Sequence, residues 1–464
     1  MSEKLQKTVS PVDGRVYVER ALAGPEEINE KLRTARHAFT AWRNVPLAER
    51  IAILTRFCDE FEKRGAQFAT ELTWQMGRPA RYAPNEIRGT LERARHMISV
   101  AEGALADIDA GPKDNFRRFV RREPLGVVFT VAAWNYPYLI AVNSVVPALL
   151  AGNVVLLKHS AQTPLCAERF AECLAAAGLP AGVFQVIHAS HEETDKIIRD
   201  PRVDFVAFTG SVAGGHAVQR AAATRFIGVG LELGGCDPVY VRHDANIDHA
   251  IENIVDGAYF NSGQSCCGLQ RVYVHHGLYK KFVEGFVELT RKYALGDPTE
   301  SGTTLGPLVR TAAAAGVRAQ IEASIAAGAS GAIVEQGFAK SAAGTPYLAP
   351  QVLLDVNHRM PVMREEIFGP VAGIMKVSSD DEAVDLMNDS DFGLTAAIWT
   401  EDADAALALG QRVNTGTWFQ NRCDYLDPAL AWVGVKDSGR GCTLSVVGFE
   451  HLTRPKSFHM RLKT

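Results

Sequence analysis

The sequence predicts an α/β fold of two doubly wound parallel-sheet domains, and three features point to it. From about residue 124, short apolar runs alternate with amphipathic helical runs; near-continuous apolar strands with helical crossovers indicate parallel sheet covered on both faces. The alternation restarts after Glu232, and 464 residues are too many for one core, so two or three domains are expected. Asn135, Lys158, Thr209-Gly210-Ser211 and Glu232 all lie at or just after strand carboxyl ends, which is where such sheets bind ligands.

The first 100 residues read as helices. Ile28, Leu32, Ala35, Phe39 and Trp42 recur every three to four residues and make one apolar stripe. Pro25 sits where a first helical turn tolerates it. A second helix follows Pro46, with Ile51, Leu54, Phe57 and Phe61 on one side. Strands are then expected at 125–132, 154–157, 183–187, 205–208, 227–233 and 238–241, with helices at 163–177, 191–199 and 213–223. In the second half, a helix at 246–261 leads to a strand at 271–274 and a helix at 278–293, with later strands at 351–354 and 372–376. The Ala/Gly-rich stretch 322–332 reads as a helix end and turn. The tail 454–462 alternates polar and apolar residues and reads as an edge strand in need of a partner, such as another subunit.

Composition excludes several classes. A net charge of -4 gives no reason to expect a nucleic acid or an anionic membrane as partner. The pairs Arg117-Arg118 and Arg121-Arg122 sit beside apolar residues and suit a solvated strand or a subunit contact. The N-terminal run is polar, and Asn143, Pro147, Gly152 and Asn153 interrupt the longest apolar stretch, so no membrane segment is expected. None of the eight cysteines forms a CxxC pair, which suits a reducing cytoplasm. His275-His276 lacks a third ligand at useful spacing, and no metal is expected there.

The chemistry concentrates in Phe260-Asn261-Ser262-Gly263-Gln264-Ser265-Cys266-Cys267. A Gly-punctuated turn between a helix and an apolar strand lifts a side chain toward a cleft. An unpaired cysteine is by itself most often a small buried hydrophobe. Glu232 and Asn135, each at a strand end, change that reading, because a nucleophile, a base and an oxyanion donor are the parts needed for covalent chemistry on a carbonyl.

Seven motifs occur together, in this order: Trp134-Asn135-Tyr136-Pro137, Gly152-Asn153 through Lys158, Phe208-Thr209-Gly210-Ser211, Glu232-Leu233-Gly234-Gly235, Gly263-Gln264-Ser265-Cys266, Glu365-Glu366-Ile367-Phe368-Gly369-Pro370 and Gly434 through Gly441. In this the chain resembles the aldehyde dehydrogenase superfamily from about Pro11 to Lys456. The resemblance implies a Rossmann-like cofactor-binding domain (1–105 and 125–234), a catalytic domain (235–449) and a small β oligomerisation arm (106–124 and 450–464), in a homodimer or homotetramer. It also implies a cytoplasmic enzyme that oxidises an aldehyde to the acid through a cysteine thiohemiacetal and thioester. Cys266 matches the nucleophile, Asn135 the oxyanion donor and Glu232 the base that activates water; relatives that pass the acyl group to coenzyme A generally lack this glutamate. A non-catalytic protein on the same fold is expected to have lost one of these three, and a cofactor-free cysteine hydrolase does not account for the Lys158 and Glu366 motifs.

The resemblance further implies a cofactor site of Trp134, Lys158, Ser160, Gly210, Ser211, Glu366 and Phe368, holding NAD or NADP. Ala161 stands where NAD-using relatives commonly carry a ribose-binding Glu. Without that carboxylate a 2′-phosphate meets less repulsion, and Lys158 with Ser160 or His159 could bind it, so NADP is expected to be accepted. The substrate mouth is expected to include Tyr136, Tyr138, Asn143, Ser265, Cys267, Arg422 and Tyr425. Its aromatic residues favour a medium-sized or aromatic aldehyde. A succinate-semialdehyde type is the alternative, weakened because Asn143 stands where such relatives often carry arginine. Arg422 is placed either to meet a distal carboxylate or to form a structural salt bridge.

Overall fold

A computed structural model describes residues 4–463. Met1, Ser2, Glu3 and Thr464, at the ends of the polar N-terminal run and of the expected arm, lie outside the described residues. The apolar runs pair in parallel as their composition requires. Val127–Ala132 and Val154–His159 are buried along their whole length, which only a sheet covered on both faces allows. A six-stranded sheet runs in the order Gly439–Arg440, Gly228–Glu232, Phe205–Thr209, Val127–Ala132, Val154–His159, Phe184–Val186. The last five are parallel, and the strand order reverses between Val127–Ala132 and Phe205–Thr209. That reversal opens a crevice at the carboxyl ends of the two strands, just where Trp134-Asn135 and Gly210-Ser211 follow.

The second sheet has seven strands in the order Ser330–Gly331, Gln351–Leu354, Val371–Val377, Leu269–His275, Asp237–Val241, Thr395–Trp399, Thr417–Gln420. All pairs are parallel except the first. Strand Thr453–Arg461 pairs antiparallel with Phe116–Pro124 over nine residues, and Ile108–Asp109 lines the other side. The tail therefore finds its partner within the chain on one side, and the arginine pairs at 117–118 and 121–122 belong to a partly exposed strand.

Two expectations need correction. The N-terminus opens with a hairpin, Leu5–Val9 against Val16–Ala21, rather than a helix. Its inward residues on the first strand are the polar Gln6 and Thr8, while Leu5 and Val9 face solvent, so the usual period-two apolar signal is inverted. The Gly439–Arg440 strand, expected in the catalytic half, adds antiparallel to the first sheet opposite Leu231 and Glu232. The helices follow their stripes: Pro25–Trp42 buries Ile28, Leu32, Ala35, Phe39 and Trp42. Helix Thr311–Ala326 ends in a turn, as the 322–332 composition predicts.

Candidate active site

The backbone ahead of Cys266 is folded into an unusual turn. Helix Ile247–Tyr259 gives way to a short 3-10 segment, Phe260–Gly263. In it Asn261, Ser262 and Gly263 adopt left-handed φ values of 53°, 57° and 69° in succession. Such a conformation costs non-glycine residues about 1–3 kcal/mol each and persists only where neighbours over-determine it. They do so here. Asn261 Nδ2 donates to the carbonyls of Asn135 and Gln264, both at 3.1 Å, and Gln264 Nε2 donates back to Asn261 O at 3.1 Å. Ser262 Oγ donates to Gly306 O at 2.9 Å, and Val309 N–H donates to Gln264 Oε1 at 2.8 Å. Gly263 is obligatory, since a Cβ there would lie 2.1 Å from the Gly369 carbonyl oxygen.

The turn delivers Cys266, partly exposed, into a cavity of about 420 Å³ whose wall also includes Glu232, Cys267, Tyr136 and Asn143. Glu232 accepts from Thr443 Oγ1 at 2.6 Å and Thr209 Oγ1 at 3.1 Å. Burial raises its carboxyl above the usual range, while the two hydroxyls and the Arg93 charge work the other way. A carboxylate poised in this way suits a general base. The neighbouring Cys267 is different. Its Sγ donates to Asp424 Oδ1 at 2.9 Å, and Ser265 Oγ lies 3.4 Å from the same sulfur. Contact with Cys266, then burial and the Asp424 charge, push this thiol well up, which keeps Cys267 protonated. Burial also lifts Asp424 to about 7.

Asn135 is buried behind the wall. Its Nδ2 donates to Gln264 O at 3.2 Å, leaving the second N–H of the amide for another acceptor. The backbone N–H of Cys266 has no protein acceptor among the described residues. Arg78 holds this corner together, donating to Asn135 O from Nη2 at 2.5 Å and to Asn261 Oδ1 from Nε at 3.2 Å. Its Nη1 pairs with the buried Glu86 carboxylate, which also accepts from Tyr138 N–H at 2.8 Å.

A thiol, a buried carboxylate and two unengaged N–H donors are brought to one region from three separate segments, an arrangement that suits covalent chemistry on a carbonyl. The aldehyde dehydrogenase family model matches residues 1–458. The chain belongs to the aldehyde dehydrogenase family. It is 33% identical over 452 residues to succinate-semialdehyde dehydrogenase (NADP(+)) 1 of Mycobacterium tuberculosis, covering 97% of this chain and 98% of that one. It is 34% identical over 463 residues to a mitochondrial aldehyde dehydrogenase of Leishmania tarentolae, covering 99% and 92%. An NAD-dependent aldehyde dehydrogenase from Sinorhizobium meliloti superposes with a TM-score of 0.95 at 33% identity, covering 99% of this chain and 92% of that one. Succinic semialdehyde dehydrogenase from Streptococcus pyogenes, solved with NADP+, gives a TM-score of 0.94 at 28% identity, covering 98% and 100%.

The residues of this aldehyde dehydrogenase expected to hold a nicotinamide cofactor fit that group. Lys158 is buried, and its ammonium has no hydrogen-bond or ion-pair partner among the described residues; burial lowers its pKa. A buried cation of this kind calls for a polar ligand. Ser160 is half-buried and Ala161 exposed beside it. Ser211 caps helix Val212–Ala222 by accepting from Gly214 N–H at 3.2 Å, and Gly210 precedes it, where a Cβ would meet the Phe208 ring at 2.7 Å. A helix N-terminus with small residues before it suits a pyrophosphate. Glu366 accepts from Gly235 N–H at 3.1 Å, and burial raises its carboxyl to about 7. Phe368 meets Trp134 edge-on at 5.6 Å. His159, in contrast, is not free to meet a phosphate: its ring is buried, with Nε2 on Pro137 O and Nδ1 on Ser160 N–H and Thr163 Oγ1.

On the substrate side, Tyr136, Asn143, Cys267 and Tyr425 line the cavity, and Ser265 is buried against Asp424 at 3.3 Å. Two expected residues are elsewhere. Tyr138 points into the core, its ring 5.1 Å from Phe61 and 5.8 Å from Phe68 and Phe170. It follows Pro137 at the start of helix Pro137–Leu150, and the turn that exposes Tyr136 sends its second neighbour to the opposite face. Arg422 is exposed and stacks on the Tyr425 ring at 3.6 Å, forming neither a salt bridge nor part of the wall. Sequence reasoning missed Arg93, which lines the cavity from a distant helix, and Thr443, which tethers Glu232 from a loop; neither carries a motif of its own.

Proposed function

We propose that Cys266 is the nucleophile of a hydrolytic aldehyde oxidation, with Asn135 and Glu232 as oxyanion donor and base. The Cys266 thiolate adds to the aldehyde carbon, and the carbonyl oxygen becomes an oxyanion. The free N–H of Asn135 and the backbone N–H of Cys266 are the donors available to it; one such donor is worth roughly 3–4 kcal/mol in the transition state. When bound, NAD or NADP supplies the hydride acceptor that turns the thiohemiacetal carbon into that of a thioester. Glu232 then takes a proton from water, the water oxygen attacks the thioester carbon, and the Cys266 thiolate leaves with the acid formed. The observation that carries this reading is the joint presence of Cys266 and a raised, hydroxyl-tethered Glu232 in one cavity wall. Absorbance at 340 nm with an aldehyde panel tests it: Cys266→Ala is expected to abolish turnover while cofactor binding survives, and residual turnover near wild type overturns it.

NADP is expected to be accepted, held by Lys158 and Ser160 beside the uncharged Ala161. Trp134, Phe368 and Glu366 would receive the nicotinamide end, and Gly210 with Ser211 the pyrophosphate. Strong discrimination against NADP in kinetics with both cofactors would sink this reading. For the substrate, a medium-sized or aromatic aldehyde fits the Tyr136 and Tyr425 rings; a semialdehyde is the second reading, favoured by the name of the mycobacterial relative. The ranges 1–105 with 125–234, 235–449, and 106–124 with 450–464 serve as cofactor, catalytic and assembly units. The unpaired edge of Thr453–Arg461 supports a homodimer or homotetramer. Eight free cysteines support a reducing cytoplasm. No helix among the described residues is long and apolar enough to cross a membrane.

A further inference from the structure

Helix Ala83–Ala104 presents Glu86, Gly89 and Arg93 to the cavity at helical spacing, with its N-cap residue Tyr82 on the same side. Arg93 is the member whose charge is not accounted for. Its side chain is buried, at 8% exposure, and a guanidinium stays protonated inside proteins. One nitrogen, Nη1, makes both of its hydrogen bonds, to Leu139 O at 3.1 Å and to Asn143 Oδ1 at 3.2 Å, and both acceptors are neutral. Nε and Nη2 have no protein acceptor among the described residues, and no carboxylate stands within ion-pair distance. A buried cation without a counter-charge is costly unless something else supplies one.

The other buried charged groups of the wall are already engaged: Glu86 is paired with Arg78, Glu232 is tied to Thr443 and Thr209, and Asp424 receives Cys267 and Ser265. Arg88 and Glu92 are exposed at the rim, in water, where Arg88 bonds Asn85 and Glu92 accepts from the Tyr425 hydroxyl. A permanent positive charge thus faces the same space as Cys266, with two donors in a fork that matches a carboxylate. At about 420 Å³ the cavity lies toward the small end of ligand pockets, so the chain between aldehyde and anion is short.

We propose that Arg93 anchors a carboxylate at the far end of the substrate, which places the second of the two substrate readings ahead of the first and makes short ω-oxo acids the preferred aldehydes of this enzyme. The assignment rests on the reading of Cys266 as nucleophile in the same cavity. Arg93 touches the substrate through its Nε and Nη2 edge, while Asn143 and the Leu139 carbonyl fix the guanidinium from behind.

The test compares 4-oxobutanoate, pentanal and 4-aminobutanal in the wild type, Arg93→Met and Arg93→Lys. Wild-type kcat/KM is expected to be at least about 30-fold higher for 4-oxobutanoate than for pentanal, the scale of a desolvated charge-assisted contact. In Arg93→Met the ratio of the two kcat/KM values falls to near one through the KM for 4-oxobutanoate, over and above any common loss from removing the charge that acts on Glu232, and Arg93→Lys recovers part of the ratio. Succinate, as a probe of the same contact, is expected to compete with 4-oxobutanoate in the wild type and not in Arg93→Met. Equal wild-type use of 4-oxobutanoate and pentanal, or a preference for 4-aminobutanal, overturns the proposal without any variant. An equal loss on both substrates in Arg93→Met overturns it too, since that is what a structural role or a counter-ion to Glu232 produces. Turnover of no aldehyde at all overturns the reading of the site itself, and this one with it.

Discussion

Replacing Thr443 by valine removes the shorter of the two hydrogen bonds on Glu232 while keeping the side chain's shape. The bond from Thr443 Oγ1 is 2.6 Å long and goes to a group that burial already pushes toward neutrality. A hydrogen bond to a charged group is worth about 1.5–3 kcal/mol. With about 1.4 kcal/mol per pK unit, its loss raises the Glu232 carboxyl by about 1–2 units above its position in the wild type. The sign follows from what the base must do. Glu232 takes a proton from water only when ionised, so hydrolysis is lost as pH falls through its pKa, and a higher pKa moves the acid limb to higher pH. Above both limbs the two enzymes converge. Stopped flow at 340 nm separates the steps: the burst reports hydride transfer and the steady phase reports release of the acid. The expected result is a steady-phase acid limb displaced upward by about 1–2 pH units, with the burst amplitude retained. A limb that stays in place, or moves to lower pH, refutes the assignment of Glu232 as the base of deacylation.

Asn135→Ala is expected to lower kcat about 100- to 1000-fold at unchanged cofactor affinity, read by steady-state kinetics and fluorescence titration. Ala161→Glu places a carboxylate beside Lys158 and is expected to lower kcat/KM with NADP at least about 10-fold relative to NAD, from like-charge repulsion with the 2′-phosphate. Tyr138→Phe is expected to leave kcat/KM for every aldehyde within about 2-fold, since its hydroxyl has no hydrogen-bond partner and its ring sits among phenylalanines. A selective loss on one substrate would return Tyr138 to the mouth.

The sequence made the main sheets legible because buried parallel strands cannot hide. Val127–Ala132 and Val154–His159 have no solvent face, so their apolar runs are unbroken. Cys266, Glu232 and Asn135 were equally visible as candidates, because each stands at a strand end or in a Gly-bearing turn. What stayed illegible has a physical reason in each case. The N-terminal hairpin turns Gln6 and Thr8 inward, and Thr8 Oγ1 bonds the Ala161 carbonyl at 2.7 Å, a contact spanning 153 residues. Thr443 reaches Glu232 because Gly439–Arg440 folds back onto the strand that ends in it. For a distal cation the sequence points to position 143, which carries Asn, and to Arg422, which is exposed. The structure instead brings Arg93 to Asn143 from a helix 50 residues earlier in the chain, and helical periodicity alone marks position 93 as no more than an inward residue.

The three-way grip of Arg78 on Asn135, Asn261 and Glu86 has a consequence for how this enzyme can change. Loosening the nucleophile's loop would also disturb the amide corner and the first turn of the helix that holds Glu86, so these pieces have little freedom to drift separately. Diversity in what is oxidised must then come from the opposite bank, where the cavity-facing positions of helix Ala83–Ala104 beyond its first turn and Arg422 and Tyr425 of the 420–425 loop can vary without moving the sulfur, while Asp424 must stay because Ser265 and Cys267 donate to it. Directed evolution confined to those two segments is the economical route to new aldehydes, whereas random change around Arg78 should mostly yield silent or collapsed enzymes.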